Sequence, residues 1–446
     1  MLKNYIEKGG YKFKKKESFF FKIFFSFKTY LKKIKIIIMS IKFLIKNKNP
    51  ILENEFIAVY ASRSFGHDIH FIELVSRLYF PRKISFIIIP NERINNFLLE
   101  AYSHNISFFK FSVDPVLSEW TARLIKLMFF YFEIKHTTWP KNYIVDPRHL
   151  TQILNIDEDL HTFEPIKNKK KRFTFNTKSP LGIYRHLVNS KIGRNPSLPE
   201  HIEKDCVAKI KKKWPSFFKK PIVAIVLRRK GYLGQGINGR LRMAGPHENY
   251  TDSVKYLAKQ GFNVVGTGDT LHEKFYDIKN YYDLTECGIE EDCANIFTLT
   301  NCILYVGQNS GPYQIVFSVG GRCLITDAQP LAYAPFGEND LILYKNIYID
   351  NKKTDISKIF KYRPELSFDQ ITFEKDVKVK ENSSLEILLS VKEMIELIKG
   401  KKTSYEIKNL SQKLRQLAPK TALSAHLKSR PPAFILKKMK KSLFKD

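Results

Sequence analysis

Cysteine is scarce in this chain. Cys206, Cys287, Cys293, Cys302 and Cys323 are the only five in 446 residues, and no two have Cys-x-x-Cys spacing. That excludes a disulfide framework or a zinc site and predicts the reduced thiols of a cytoplasmic protein. Also missing is any uncharged apolar run near the ~18–20 residues that span a bilayer. The most apolar stretch, at the front, is interrupted by Lys22, Lys28, Lys32, Lys33, Lys35 and Lys42. Nor is it followed by the small-residue cleavage site of a secretory signal. No repeat of the solenoid kind is found.

Acidic side chains are in short supply as well. Asp and Glu number 44 against 75 Lys and Arg, a formal net charge of +31. Such an excess would suit nucleic acid if it covered the whole chain. It does not. Residues 1–50 hold fourteen Lys against Glu7 and Glu17, a net +12, and residues 401–446 hold thirteen Lys and Arg against Glu406 and Asp446, a net +11, which leaves +8 for residues 51–400. No nucleic-acid partner is therefore expected, and a non-catalytic basic binding protein is the weaker reading. Both ends mix cations with large apolar side chains: Phe19–Phe21, Phe24, Phe25, Phe27 and Ile36–Ile38 at the front, Phe434, Ile435, Leu436 and Leu443 at the back. This composition suits an anionic membrane surface, so the expectation is a peripheral protein on the inner face of the plasma membrane. The competing reading is a floppy end biased toward Lys, Ile and Phe.

With 43% hydrophobic residues the chain can bury cores for two domains of ordinary size. Division is expected into an extension over 1–50, domains over 51–215 and 216–400, and a basic helix or tail over 401–446. From Phe56 the pattern is regular: a strand over Phe56–Ala61, a turn holding Gly66 and His67, a helix over Ile69–Tyr79 and a strand over Lys83–Pro90. That sequence of elements opens a parallel α/β sheet. A helix around Ile94–Ser103, a strand at Ile106–Phe111 and an apolar helix over Leu117–Phe132 follow, then a basic loop over 165–200. The pattern restarts with a strand over Pro221–Arg229 and a loop carrying Gly231, Gly234, Gly236 and Gly239. A helix over Tyr250–Gln260 stopped by Gly261 and a strand and loop over Phe262–Asp269 come next. A helix over Asp292–Leu299, a strand over Ile303–Gly307, a helix over Pro312–Ser318 and a strand over Cys323–Asp327 complete it.

Three constellations could carry chemistry. In Val306–Pro312, VGQNSGP, Gly307 ends a buried strand and Asn309, Ser310 and Gly311 lead into a helix that begins at Pro312, so backbone N–H groups and a helix dipole can meet an anion; plain helix capping is the alternative. Arg228 and Arg229 end a strand whose seven preceding residues are uncharged. A guanidinium fork there suits a diphosphate, with Arg240 and Arg242 in the loop beyond, unless these are ordinary surface arginines. Gly66-His67-Asp68 could supply a general base, or a hydrogen-bonded loop histidine. Asp157-Glu158-Asp159 matches an Asp-x-Asp metal motif, but no buried strand precedes it, and no metal site is expected there.

Arg228, Arg229, Gly231 and Tyr232, then Arg242-Met243-Ala244, Gly268-Asp269 and Gly307–Gly311 stand in the order seen in the C-terminal half of GT-B glycosyltransferases. They most closely resemble a group of uncharacterised bacterial enzymes encoded among surface-polysaccharide genes. Met243 replaces that group's asparagine. The paired arginines are similar to the strand-end pair of fucosyltransferases, and Arg63, Gly66 and His67 match the group's N-terminal Arg-x-x-Gly-His. The resemblance implies two Rossmann-like domains facing across a cleft and a metal-independent hexosyl- or related transferase that needs no cofactor. It implies a nucleotide-sugar held by Arg228, Arg229, Tyr232, Arg242, Gly268, Asp269, Gly307, Asn309, Ser310 and Gly311. A glycan or lipid-linked acceptor would be deprotonated by His67 or Asp68. Sugar epimerases and pyruvyl transferases share the architecture and are the alternative activities.

Overall fold

The computed structural model describes residues 19–54, 56–62, 65–90, 94–135, 143–145, 165–168, 171–175, 188, 191, 193–228, 243–268, 275–328, 337–338, 340–349, 351–362, 377–418 and 428–444. The chain divides into two compact units. One comprises 1–64, 81–94 and 105–147; the other comprises 65–80, 95–104 and 148–446.

The first unit is built on a parallel sheet of β1 (Phe56–Ala61), β2 (Ile84–Ile89), β3 (Ile106–Lys110) and β4 (Tyr143–Val145), in the order β3-β2-β1-β4. β1 and β2 form because their β-branched and aromatic runs fit a pleated surface, and both are buried on both faces. Alternate residues Ile57, Val59, Ala61, Ile87 and Ile89 make one face of a core. Ala122 and Ile125 of a helix over Ser118–Lys135 and Met39, Phe43 and Leu44 of the long helix α1 (Phe19–Leu52) pack there.

In the second unit α2 (Phe65–Tyr79) and α3 (Asn96–Ala101) join the chain from 148 onward. Its main sheet is also all parallel: β7 (Ile222–Val226), β8 (Asn263–Thr267), β9 (Tyr281–Tyr282), β10 (Leu304–Gly307), β11 (Arg322–Ala328) and β12 (Leu341–Tyr344). The order β12-β11-β10-β7-β8-β9 is the doubly wound Rossmann order read from its far edge. The fold is thus α/β, with two parallel sheets of Rossmann-like arrangement. Val223, Ile225, Leu304, Val306 and Leu324 face a core closed by Tyr250, Val254 and Leu257 and by Ile387, Val391 and Met394. These come from helices over Glu248–Lys259 and Ser384–Ile398. A helix over Glu291–Asn301 and a short one over Pro312–Ser318 complete the layer near the site. Arg77 of α2, only 1% exposed, pairs with Glu73 and donates to Ser318 O (2.9 Å), which fixes α2 against the end of that short helix.

Most expected elements form within a few residues of their expected limits, and two readings need correction. Gly66, His67 and Asp68 lie in the first turn of α2, because a glycine is tolerated at a helix start and Asp68 suits its positive end. Within the expected basic loop, Pro165–Asn168 and Lys171–Phe175 pair as an antiparallel hairpin, β5 and β6; lysines mask its period of two. A charged helix over Glu200–Lys213, which sequence reasoning did not recognise, precedes the second sheet. The basic C-terminal segment is folded: helices over Tyr405–Gln416, Ala433–Lys438 and Lys440–Leu443 bury Leu410, Leu414, Leu436, Met439 and Leu443. Arg430, bonded to Glu393 at 2.6 Å, anchors that segment. All five cysteines are free. Among the described residues no helix is long and apolar enough to cross a membrane.

Candidate functional site

β7 and β10 are the first and fourth strands of the second sheet in chain order, and they lie side by side with Val226 opposite Gly307. Here the winding reverses, and open α/β sheets bind ligands outside the carboxyl ends of such a strand pair. Gly307 belongs there because a Cβ would overlap the carbonyl oxygen of Val226.

Two residues past Val226, Arg228 donates its N–H to Gln308 Oε1 (2.8 Å). Gln308 is 1% exposed, and its Nε2 donates to Tyr250 OH (3.0 Å). The buried Tyr250 hydroxyl donates to Asp327 Oδ2 (2.8 Å) and lies 2.8 Å from Thr326 Oγ1. Asp327 Oδ2 also accepts from Gly245 N–H (2.8 Å), and Ala244 N–H donates to Arg228 O (3.1 Å). These bonds close a ring through four elements of the sheet's carboxyl edge and pin the chain on both sides of the glycine-rich stretch. Asp327 adopts a left-handed backbone (φ 48°), held by reciprocal 2.6 Å bonds with Asn382. Burial pushes the Asp327 carboxyl above the usual range, opposed by the Lys345 charge and then by the N–H groups of Gly245 and Asn382. Burial likewise pushes up the Tyr250 phenol, so its hydroxyl stays neutral as the ring requires.

The turn after Gly307 faces inward. Ser310 N–H donates to Gln308 O (2.8 Å), Ser310 Oγ lies 3.0 Å from Tyr305 OH, and Tyr305 OH donates to Gln308 O (2.7 Å). The helix that follows has seven residues, and Gly311 caps it without a side-chain bond, so its dipole is small. Positive charge at the switch point is supplied by Arg228, which opposes the upward push of burial on the Tyr305 phenol.

On the other side of β7, Gly268 follows β8 with φ 97°, open to glycine. Its N–H donates to Asn295 Oδ1 (2.9 Å), which also bonds the Thr267 hydroxyl. The structure thus gathers Arg228, Gly268, Gly307, Asn309, Ser310 and Gly311 along one sheet edge. Arg229, Tyr232, Arg240, Arg242 and Asp269 lie outside the described residues, as do Arg63 and Asp157-Glu158-Asp159. Asp68 is buried in the first turn of α2, and the side chain of His67 is outside the description. Among the described residues no group of three His, Cys, Asp or Glu could hold a metal ion.

Sequence reasoning missed Gln308, Tyr250, Asp327 and Asn295. Gln308 lies inside the Val306–Pro312 stretch, directly after a buried strand, and Asp327 ends the expected strand Cys323–Asp327; a polar residue at such a strand end was the available signal. Nothing in the sequence marks Asn295.

No protein-family model matches the chain, and no curated protein matches it. Solved structures do. A family 9 glycosyl transferase from Veillonella parvula is 11% identical, covering 76% of this chain and 97% of its own, with a TM-score of 0.44. The E. coli heptosyltransferase WaaC with ADP-2-deoxy-2-fluoro heptose is 12% identical over 71% of this chain and 97% of its own, with a TM-score of 0.35. UDP-GlcNAc 2-epimerase from Neisseria meningitidis, bound to UDP-GlcNAc, is 11% identical over 88% of this chain and all of its own, with a TM-score of 0.31.

Proposed function

We infer that the chain is a glycosyltransferase that takes a sugar from a nucleotide-sugar donor and passes it to a glycan or lipid-linked acceptor of bacterial surface polysaccharide. The observation that carries this is Arg228 beside the Gly307–Gly311 turn at the switch point, its main chain held by the buried Gln308–Tyr250–Asp327 ring. A cation whose main chain is fixed at a parallel sheet's carboxyl edge favours a bound diphosphate. As the acceptor oxygen bonds to the anomeric carbon, the bond from that carbon to the phosphate oxygen breaks, and its electron pair leaves with the diphosphate. Arg228 stabilises that growing charge, with Arg229 and Arg242 as further cations and Tyr232 and Asp269 as donor contacts. His67 or Asp68 takes the acceptor proton.

The test is calorimetric titration of uridine and adenosine diphosphates into the wild type and into the double variant Arg228→Ala, Arg229→Ala. Losing charge-assisted bonds worth ~1.5–3 kcal/mol each should weaken binding by at least about tenfold. Equal affinity in both proteins would remove the arginines from the site. Turnover of a nucleotide-sugar without transfer would favour the epimerase reading.

A further inference from the structure

Helix α1 has two apolar faces, and the first unit uses only one. Ile36 and Ser40 are 5% and 0% exposed, while Met39, Phe43 and Leu44 pack against the core. On the opposite side Leu31, Ile34, Ile38, Ile41 and Ile45 remain 49%, 38%, 49%, 44% and 72% exposed. Their alternating spacing of three and four residues sets them in one stripe roughly 20 Å long, within an arc of roughly 80°. Lys35, Lys42 and Lys46 run along one edge of the stripe. All three are exposed, and none has an ion-pair partner among the described residues. Single exposed Leu or Ile residues are ordinary, but a contiguous row bordered by lysines marks an interaction surface.

We propose that this second face lies in the interface of an anionic membrane, with the Leu31–Ile45 stripe among the upper acyl chains and the lysine edge at the lipid phosphates. Charge selects this occupant over a second copy of the chain. Two copies joined along the stripe would bring together two segments that each carry a net +12 over residues 1–50, whereas an anionic lipid surface answers that charge. At the other basic end Leu436, Met439 and Leu443 are already buried, so the apolar part of membrane contact falls to α1.

The test is sedimentation of the full chain with vesicles of phosphatidylcholine alone or mixed with phosphatidylserine, at low and physiological salt. Only the anionic vesicles should carry the protein down, and salt should weaken this. The exposed-face double variant Ile38→Glu, Ile45→Glu should bind about tenfold more weakly or worse. Lys35→Glu with Lys42→Glu should also lose binding, while Tyr405→Glu, on a residue 85% exposed elsewhere, should keep it. No sedimentation at low salt would overturn the proposal, as would equal sedimentation of the wild type and the Ile38, Ile45 variant. A wild-type dimer in analytical ultracentrifugation that this variant dissociates would assign the face to a second copy and overturn it too. Diphosphate titration of the variant keeps this outcome separate from that for the reaction.

Discussion

Tyr250 is the residue on which the candidate site turns, because one hydroxyl serves Gln308, Thr326 and Asp327 together. In Tyr250→Phe the Gln308 amide loses its acceptor inside the protein, and an unsatisfied buried donor costs about 1–3 kcal/mol. Two effects should follow: a lower urea midpoint at unchanged slope, and weaker diphosphate binding, since Gln308 also holds the Arg228 main chain. A variant that is less stable but binds diphosphate as the wild type does would make the ring a structural brace only. At this scale the sequence was partly legible. The glycine and the cation that mark the edge, Gly307 and Arg228, stand out because each breaks a run of apolar residues. The partners that hold them do not stand out, because a buried Tyr, Gln or Asp reveals its role only when strands distant in sequence lie side by side.

Elements were more legible than their joints. The strands at Phe56, Lys83, Ile303 and Cys323 and the helix at Pro312 follow from apolar runs and glycine or proline stops, whereas β5, β6 and the Glu200–Lys213 helix are hidden by lysine. Asp340, buried at the start of β12, accepts from Cys323 N–H (2.8 Å) at the start of β11 and from Gly337 N–H (2.9 Å). Burial outweighs these bonds and raises its pKa from 3.8 to about 6. The folded state therefore holds more protons than the unfolded state between those values, and stability falls as pH rises through that window. The full penalty is about 3 kcal/mol above it. His104 works the other way: burial, then the Arg194 charge, lowers its pKa to about 4, so its contribution is present above its ordinary value and is lost as pH falls. A wild-type pH scan would mix the two. The difference between Asp340→Asn and wild type isolates the aspartate, since the amide misplaces one donor at every pH. That difference should move in the variant's favour by up to about 3 kcal/mol from pH 4 to pH 7. A flat difference would mean that Asp340 titrates normally.

For the whole molecule, connectivity matters more than charge. The chain passes between its two compact units five times, after residues 64, 80, 94, 104 and 147. Segments 65–80 and 95–104, which link β1 to β2 and β2 to β3, therefore belong to the unit that carries Arg228. If that unit melts, both segments become flexible loops that the remaining sheet must keep closed. Closing loops of 16 and 10 residues costs about 2 kcal/mol each by (3/2)RT ln n. Together that is a large share of the ~5–15 kcal/mol that holds an ordinary domain folded. The first unit should therefore not outlast the second, and scanning calorimetry should give one endotherm for both. A nucleoside diphosphate at a hundred times its dissociation constant adds ~2.7 kcal/mol to the folded state, and although it touches one unit it should move that whole endotherm upward. Two endotherms, with the nucleotide shifting only one, would show that the shared segments do not couple the units.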